Sequence, residues 1–318
     1  EFAANSGDAN LGTAAAVATT DRTGITFAAA GDLTTVTLTG TKSVDIDLAN
    51  AVKVTTLDAS GVAGGAVLTL AANTGALTVT GSSLRDQVEL ATLGAGGSAT
   101  INAGGGGDFI TGTIAQATAI AINGEAGTDT LSVSDANNGG ATLTIGDAMF
   151  NDMNVEVVDF SGAIKGDLVW TVGGFADAMA TRNGNNLKIT GDTFATATSA
   201  DTITIDASAM STGNSISVDI KNTAATATKV SAHTVTGSNG NDTIKVEEAF
   251  AASANTFALT GGAGDDSITV VSSATQDGKI VVTSGTGNDT ITLTNATTDA
   301  TVALNLITPG AGDDTIKL

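Results

Sequence analysis

The stretch Gly261-Gly262-Ala263-Gly264-Asp265-Asp266-Ser267-Ile268 decides how this chain is read. Glycine enters φ > 0 freely, so Gly262 and Gly264 allow a tight turn that leaves backbone carbonyls accessible. Asp favours the same turn through local hydrogen bonds. Ile268, two residues after Asp266, then opens a strand. The pattern Gly-x-x-Gly-x-Asp-x-aliphatic recurs at 237–244 (Gly237, Asn239, Gly240, Asp242), 284–291 (Gly285, Gly287, Asp289) and 309–316 (Gly310, Gly312, Asp314). Earlier copies stand at 103–110 (Gly104, Gly106, Asp108) and 124–131 (Gly124, Gly127, Asp129). A degenerate copy at 81–88 carries Arg85 before Asp86. From Asp242 the aspartates step by 24, 23 and 25 residues; from Asp86 they step by 22 and 21.

Outside these turns the apolar residues fall in short alternating runs. Examples are Leu33-Thr34-Thr35-Val36-Thr37-Leu38, Ala76-Leu77-Thr78-Val79-Thr80 and Ile216-Ser217-Val218-Asp219-Ile220. Period-2 alternation of β-branched residues reads as strands with one face buried. A second strand is expected between turns, at Phe257-Ala258-Leu259, Ile280-Val281-Val282 and Val302-Ala303-Leu304. Aromatics are only 3% of the chain, nine Phe and one Trp, too few to fill a sandwich about 10 Å thick. A narrow column of Val, Ile, Leu and Ala suits stacked coils. The expected fold is therefore all-β, a right-handed parallel β-helix or β-roll-like solenoid with a single column of Gly/Asp turns along one edge. Helical signal is confined to 147–153 and 175–182, and Trp170 there reads as local packing.

A turn of carbonyls plus one carboxylate offers hard oxygens, and a stacked turn from the next coil doubles the set. Ca2+ takes six to eight oxygens at about 2.3–2.6 Å in irregular geometry. The candidate metal residues are thus those given in parentheses for the copies at 237–244, 284–291, 309–316, 103–110 and 124–131, with Gly262, Gly264 and Asp266. Four turns in the second half would enclose up to three ions, and the first half one or two. Asp242, Asp266, Asp289 and Asp314 are the strongest candidates.

The repeated turn resembles the calcium-binding nonapeptide repeat of the RTX family of secreted bacterial proteins. It departs from that pattern in having one motif per long coil instead of one every nine residues. A second repetition, Leu57-Asp58-Ala59-Ser60 against Ile205-Asp206-Ala207-Ser208 and, more loosely, Val158-Asp159-Phe160-Ser161, gives the chain the texture of RTX-type surface-layer proteins. The resemblance implies type I secretion, folding outside the cell once calcium is met, and assembly into a surface layer. Asp58, Asp159 and Asp206 are expected to cap turns. The expected organisation is a solenoid module at 1–135, a diverged or partial β unit at 136–205 and a duplicated module at 206–318.

Composition narrows the functions. With no Cys and only His233, thiolate chemistry and paired-histidine zinc sites are excluded. A formal net charge of −21 disfavours nucleic acid. No apolar run is long enough to insert in a membrane as a helix. His233, in a strand-like run, is expected to be exposed or half-exposed. Asp265/Asp266 and Asp313/Asp314 are neighbours that should point apart, which argues against a two-carboxylate hydrolase. Glu1-Phe2 without Met reads as the start of an expressed fragment. The expectation is a non-enzymatic, calcium-dependent cell-surface protein that self-associates into a lattice, with cell-surface polysaccharide as a further partner. The alternatives are a calcium-dependent adhesin, for which exposed aromatics at 147–182 would speak, and the non-catalytic RTX region of a secreted enzyme.

Overall fold

The computed structural model describes residues 2–4, 23–27, 32–134, 142–151, 153–160, 167–192, 202–222, 232–248, 256–272, 279–295 and 306–318. The chain is a parallel β-solenoid, with few helices. Its contacts divide it into two compact units, Glu1–Val133 with Asn151–Val155, and Ser134–Phe150 with Glu156–Leu318.

In the first unit the chain alternates between two sheets and adds one parallel strand to each per coil. One sheet holds, in spatial order, Phe2–Ala4, Thr35–Gly40, Thr56–Val62, Ala76–Thr80, Ser98–Asn102 and Ala121–Asn123. The other holds Thr23–Thr26, Val44–Asp47, Ala66–Thr69, Gln87–Glu89, Phe109–Thr113 and Thr130–Ser134. The register stacks like on like: Val36 pairs with Leu57, Leu57 with Val79, Val79 with Ile101 and Ile101 with Ile122. Period-2 alternation aims these residues inward, and all are buried.

The second unit repeats the scheme. One sheet runs from Leu143–Ile145 through Leu168–Thr171, Thr202–Asp206, Ala232–Thr236, Thr256–Ala263 and Lys279–Thr286 to Leu306–Thr308. The other runs from Val157–Asp159 through Asn186–Asp192, Ser215–Asn222, Thr243–Glu248, Ser267–Ser272 and Thr290–Asn295 to Thr315–Lys317. The column Ile189, Val218, Ile244, Ile268, Ile291 is in register and no member is more than 1% exposed. Burying each such side chain contributes roughly 1.5–3 kcal/mol. The expected strands at 257–259 and 280–282 are present within longer ones; Val302–Leu304 lies outside the described residues.

The helical expectations hold as a 3-10 turn at Asp147–Phe150 and a helix at Gly174–Arg182. Trp170 is buried, stacked on Phe150 at 5.0 Å and edge-on to Phe160 at 5.8 Å, a local packing cluster. A short helix at Ile114–Ala119 is not signalled by periodicity; a reciprocal Thr113/Gln116 capping box starts it.

His233 corrects an expectation. It is 1% exposed, because it occupies an inward position of Ala232–Thr236 between Ile203 and Phe257 in register. Its Nδ1 accepts the Ile203 N–H at 3.2 Å and its ring tilts against Phe257 at 5.1 Å. Asp58 and Asp206 cap as expected, accepting the N–H of Ser60 at 2.9 Å and of Ser208 at 3.0 Å. Asp159 accepts the Thr190 hydroxyl of the neighbouring strand at 2.6 Å, and the turn it is expected to cap lies outside the described residues.

Candidate metal-binding corners

The Gly/Asp motifs form the corners where the chain passes from one sheet to the other, and they stack in one column within each unit. The corner backbone belongs to the parallel ladder: Gly105 and Gly106 pair with Ala126 and Gly127, Gly262 and Ala263 pair with Gly285 and Thr286, and Thr286 bridges Ala311. Gly104, Gly106, Gly127, Gly262, Gly264, Gly285, Gly287, Gly310 and Gly312 have positive φ. At Gly285 the requirement is double. Its φ is 112°, and a Cβ would lie 1.9 Å from the Gly262 carbonyl oxygen of the preceding coil. Coils cannot stack this closely with a side chain there.

The motif aspartates turn inward. Asp86, Asp108, Asp129, Asp242, Asp266 and Asp289 are at most 2% exposed, and Asp314, on the last coil, is half-buried. Their neighbours Asn241, Asp265, Asn288 and Asp313 are exposed, so the paired carboxylates do point apart. The aliphatic residues two positions on, from Val88 to Ile291, are buried as expected, whereas Ile316 of the last coil is 44% exposed.

Each inward carboxylate makes a rung-to-rung bond. The N–H of Asp242 donates to Oδ1 of Asp266 at 2.8 Å, that of Asp266 to Asp289 at 2.8 Å, and that of Asp289 to Asp314 at 2.9 Å. In the first unit the N–H of Asp86 donates to Asp108 at 2.7 Å and that of Asp108 to Asp129 at 2.8 Å. The second oxygen differs by corner. Oδ2 of Asp108, Asp266 and Asp289 is buried without a hydrogen-bond partner. Asp86 and Asp242 are the first rungs, and there a serine four residues earlier closes the site. Ser82 and Ser238 each donate N–H to Oδ2 at 2.5 Å and hydroxyl to Oδ1 at 2.8 and 2.7 Å.

The open Oδ2 faces another acceptor. A Cβ built on Gly261 would lie 2.3 Å from Asp266 Oδ2 and 2.3 Å from the Ser284 carbonyl oxygen, so the two oxygens converge on the space left by the missing side chain. A buried carboxylate oxygen with no donor favours a proton or a cation beside it. Burial accordingly pushes Asp108 up to about 8 and Asp266 up to about 7, with neighbouring Asp charges adding to both. Burial also raises Asp86, but only to about 6, because Ser82 and the Ala66 N–H donate to it.

Gly124, Gly237 and Gly240, also candidates, provide close approach: a Cβ on each would lie within 2.4 Å of a neighbouring carbonyl or carboxylate oxygen. Asn239 is exposed, and its amide donates to the Met210 carbonyl at 3.1 Å. Among the described residues no three His, Asp or Glu side chains cluster closely enough to hold a metal by themselves. A metal shell here would need corner carbonyls, several of which already accept one coil-to-coil bond, such as Gly104 from Ala126 N–H at 3.0 Å and Thr286 from Gly264 N–H at 2.8 Å. A carbonyl keeps a second lone pair for an ion. The donor set therefore fits a hard cation at the glycine-type corners. Sequence reasoning missed Ser82 and Ser238; a serine four residues before the Asp, where other copies have Gly104, Gly262, Gly285 and Gly310, was the available signal.

Comparison with protein families, with curated protein sequences and with solved structures returned no match. No helix among the described residues is long and apolar enough to cross a membrane.

Proposed function

We propose that this chain is a structural, calcium-dependent protein of the bacterial cell surface, of the RTX type, which self-assembles into a surface layer after export by type I secretion. The observation that carries the proposal is the column of buried motif carboxylates with an unshared oxygen on Asp108, Asp266 and Asp289. Calcium supplies positive charge and oxygen coordination to such a column. The chain's own part is to hold Oδ1 of each Asp on the preceding rung, leave Oδ2 of Asp108, Asp266 and Asp289 without a donor, and keep water out by burial. Chelated, the column carries buried uncompensated charge in a chain already at −21, which opposes folding. Extracellular calcium modules bind at roughly 10⁻⁴–10⁻³ M, so at tenfold excess each site adds about 1.4 kcal/mol.

The reading includes no catalytic role: the paired carboxylates face opposite sides of the corner. The adhesin alternative loses most of its aromatics to the core, since Phe150, Phe160 and Trp170 are buried and only Phe175 is exposed. The partner is a second copy in a lattice, with cell-surface polysaccharide as a further partner. The test is a Ca2+ titration of the full chain by circular dichroism and light scattering, reversed with EGTA. Cooperative gain of β signal in the millimolar range, then sheet-like assemblies, is expected. A melting midpoint that ignores both calcium and chelator would end the proposal.

A further inference from the structure

The two columns open in the same way, and the opening rung is chemically unlike the later rungs. In each unit the first inward Asp has a serine at the fourth preceding position, and in each the serine supplies two donors, one to each carboxylate oxygen. The preceding coil supplies a third, from the Ala66 N–H at 2.6 Å to Asp86 and from the Ile216 N–H at 2.7 Å to Asp242. Both oxygens of Asp86 and Asp242 are thus satisfied by protein. At Asp108, Asp266 and Asp289 a glycine of positive φ stands in place of the serine (Gly104, Gly262, Gly285): the hydroxyl bond to Oδ1 is gone, and the glycine N–H does not reach Oδ2, which is left buried without a donor. The residue five before the Asp varies within the glycine type (Ala103, Gly261, Ser284) and so does not set it; where it is glycine, a Cβ on Gly237 or on Gly261 would lie 2.3 Å from Oδ2 of its Asp in either type. The residue four before the Asp, a serine giving N–H and hydroxyl or a glycine at positive φ giving neither, therefore tracks the state of the carboxylate.

We infer that Ser82 and Ser238 close the first rung of each column in place of a cation, so that cation uptake begins at the glycine-type corners of the later rungs. The inference rests on the calcium reading above and assigns its boundaries. A carboxylate with charge-assisted bonds from an N–H and an O–H to separate oxygens has little to gain from an ion, whereas a buried oxygen with no donor carries the full desolvation penalty until one is supplied. The serine rungs also provide a start that needs no ion, on which the next coil can dock its Asp through the N–H of Asp86 or Asp242. The serines are positioning residues; they act through the carboxylate.

The experiment counts Ca2+ bound to the full 318-residue chain by equilibrium dialysis, and measures the melting midpoint in Ca2+ and in EGTA. The chains compared are the parent, Ser238→Gly, Ser82→Gly and Asp266→Asn. Each serine variant is expected to bind one more Ca2+ than the parent and to lose more of its midpoint in EGTA than in Ca2+. Asp266→Asn is expected to bind at least one fewer. Serine variants with the parent's ion count, and equal losses in both media, would overturn the serine assignment while a parent chain that still binds Ca2+ keeps the calcium reading intact. A parent chain that binds no Ca2+ at all removes both. Because Ser82 and Ser238 lie in different units, one variant that fails to fold leaves the other to decide.

Discussion

The columns of the two units share an inner ladder and differ in an outer one. In both, the N–H of one motif Asp donates to the carboxylate of the next. Only the second unit adds a ladder of exposed side chains running the other way. There Asn241 accepts the Asp265 N–H at 2.9 Å, Asp265 accepts that of Asn288 at 2.7 Å, and Asn288 accepts that of Asp313 at 2.9 Å. The first unit has Arg85, Gly107 and Thr128 at these positions, none of which is an Asn or Asp. The inner ladder is thus what stacking demands of a motif Asp, and the outer one is a reinforcement that the first unit dispenses with. Arg85 contributes there in another way: its charge lowers Asp108 against the dominant effect of burial.

What the columns share should break alike. Gly127 (φ 148°) and Gly285 (φ 112°) each have a preceding-coil carbonyl where a Cβ would go, Gly106 and Gly262 respectively, both within 1.9 Å. Gly127→Ala and Gly285→Ala are each expected to cost about 4 kcal/mol or more, read as lost cooperativity in urea unfolding. Gly213→Ala is the reference, with φ 94° but nothing within 4 Å of its Cβ, and should cost only about 1–2 kcal/mol. Equal losses at all three would mean that coil contact is not what fixes these glycines.

Corner chemistry gives the next effect, of opposite sign in the two corner types. Asp266→Asn keeps an Oδ1 for the Asp242 N–H and replaces an unshared buried oxygen with an amide donor facing the Ser284 carbonyl. In chelator it should stabilise by about 1–3 kcal/mol. Asp242→Asn sets an amide donor against the Ser238 N–H and should destabilise by a similar amount. Matching signs in EGTA melts would dissolve the distinction between serine-type and glycine-type corners.

Much of this is legible in the sequence alone. The alternation in Ile216–Ile220 and the fixed distance from each Asp to its aliphatic residue carry strands, inward faces and the corner column within each unit, because both are local consequences of a period of two. The burial of His233 is not legible: alternation alone does not distinguish the inward face when the run is Ala-His-Thr-Val and both neighbouring columns are set by other coils. Nor is the direction of the carboxylates. The Gly/Asp pattern announces oxygens near a turn, but the engagement of Oδ1 by the next coil's N–H depends on register between residues 21–25 apart. The helix at Ile114–Ala119 has a legible start in Thr113 and Gln116, yet six residues give periodicity too little length to register.

Acidity tests the columns as charge. Asp86, Asp108 and Asp266 lie at about 6, 8 and 7 when folded, against 3.8 unfolded, so the folded state holds protons that the unfolded chain has released. Their contribution to stability is full below about 4 and is lost as pH rises to about 8, by at most about 1.4 kcal/mol per pH unit for each group. In EGTA the melting midpoint should therefore rise on going from pH 8 to pH 5, and saturating Ca2+ should flatten the profile. A midpoint that falls with acidification in EGTA would show the carboxylates to be compensated already.

The smallest effect belongs to the outer ladder. Asn288 is exposed and joins three coils, donating its N–H to Asp265 and accepting that of Asp313. Asn288→Ala keeps the first bond, which is made by backbone, and removes the second, whose donor is exposed and can turn to water. The expected cost is about 0.5–1 kcal/mol, with faster hydrogen exchange at the Asp313 amide and unchanged exchange at the Asp289 amide, which is bound to Asp314 on the inner ladder. Exchange that quickens at both amides would mean that the ladders are one cooperative element, and that the first unit, without an outer ladder, is held at its corners by something other than the inner carboxylates.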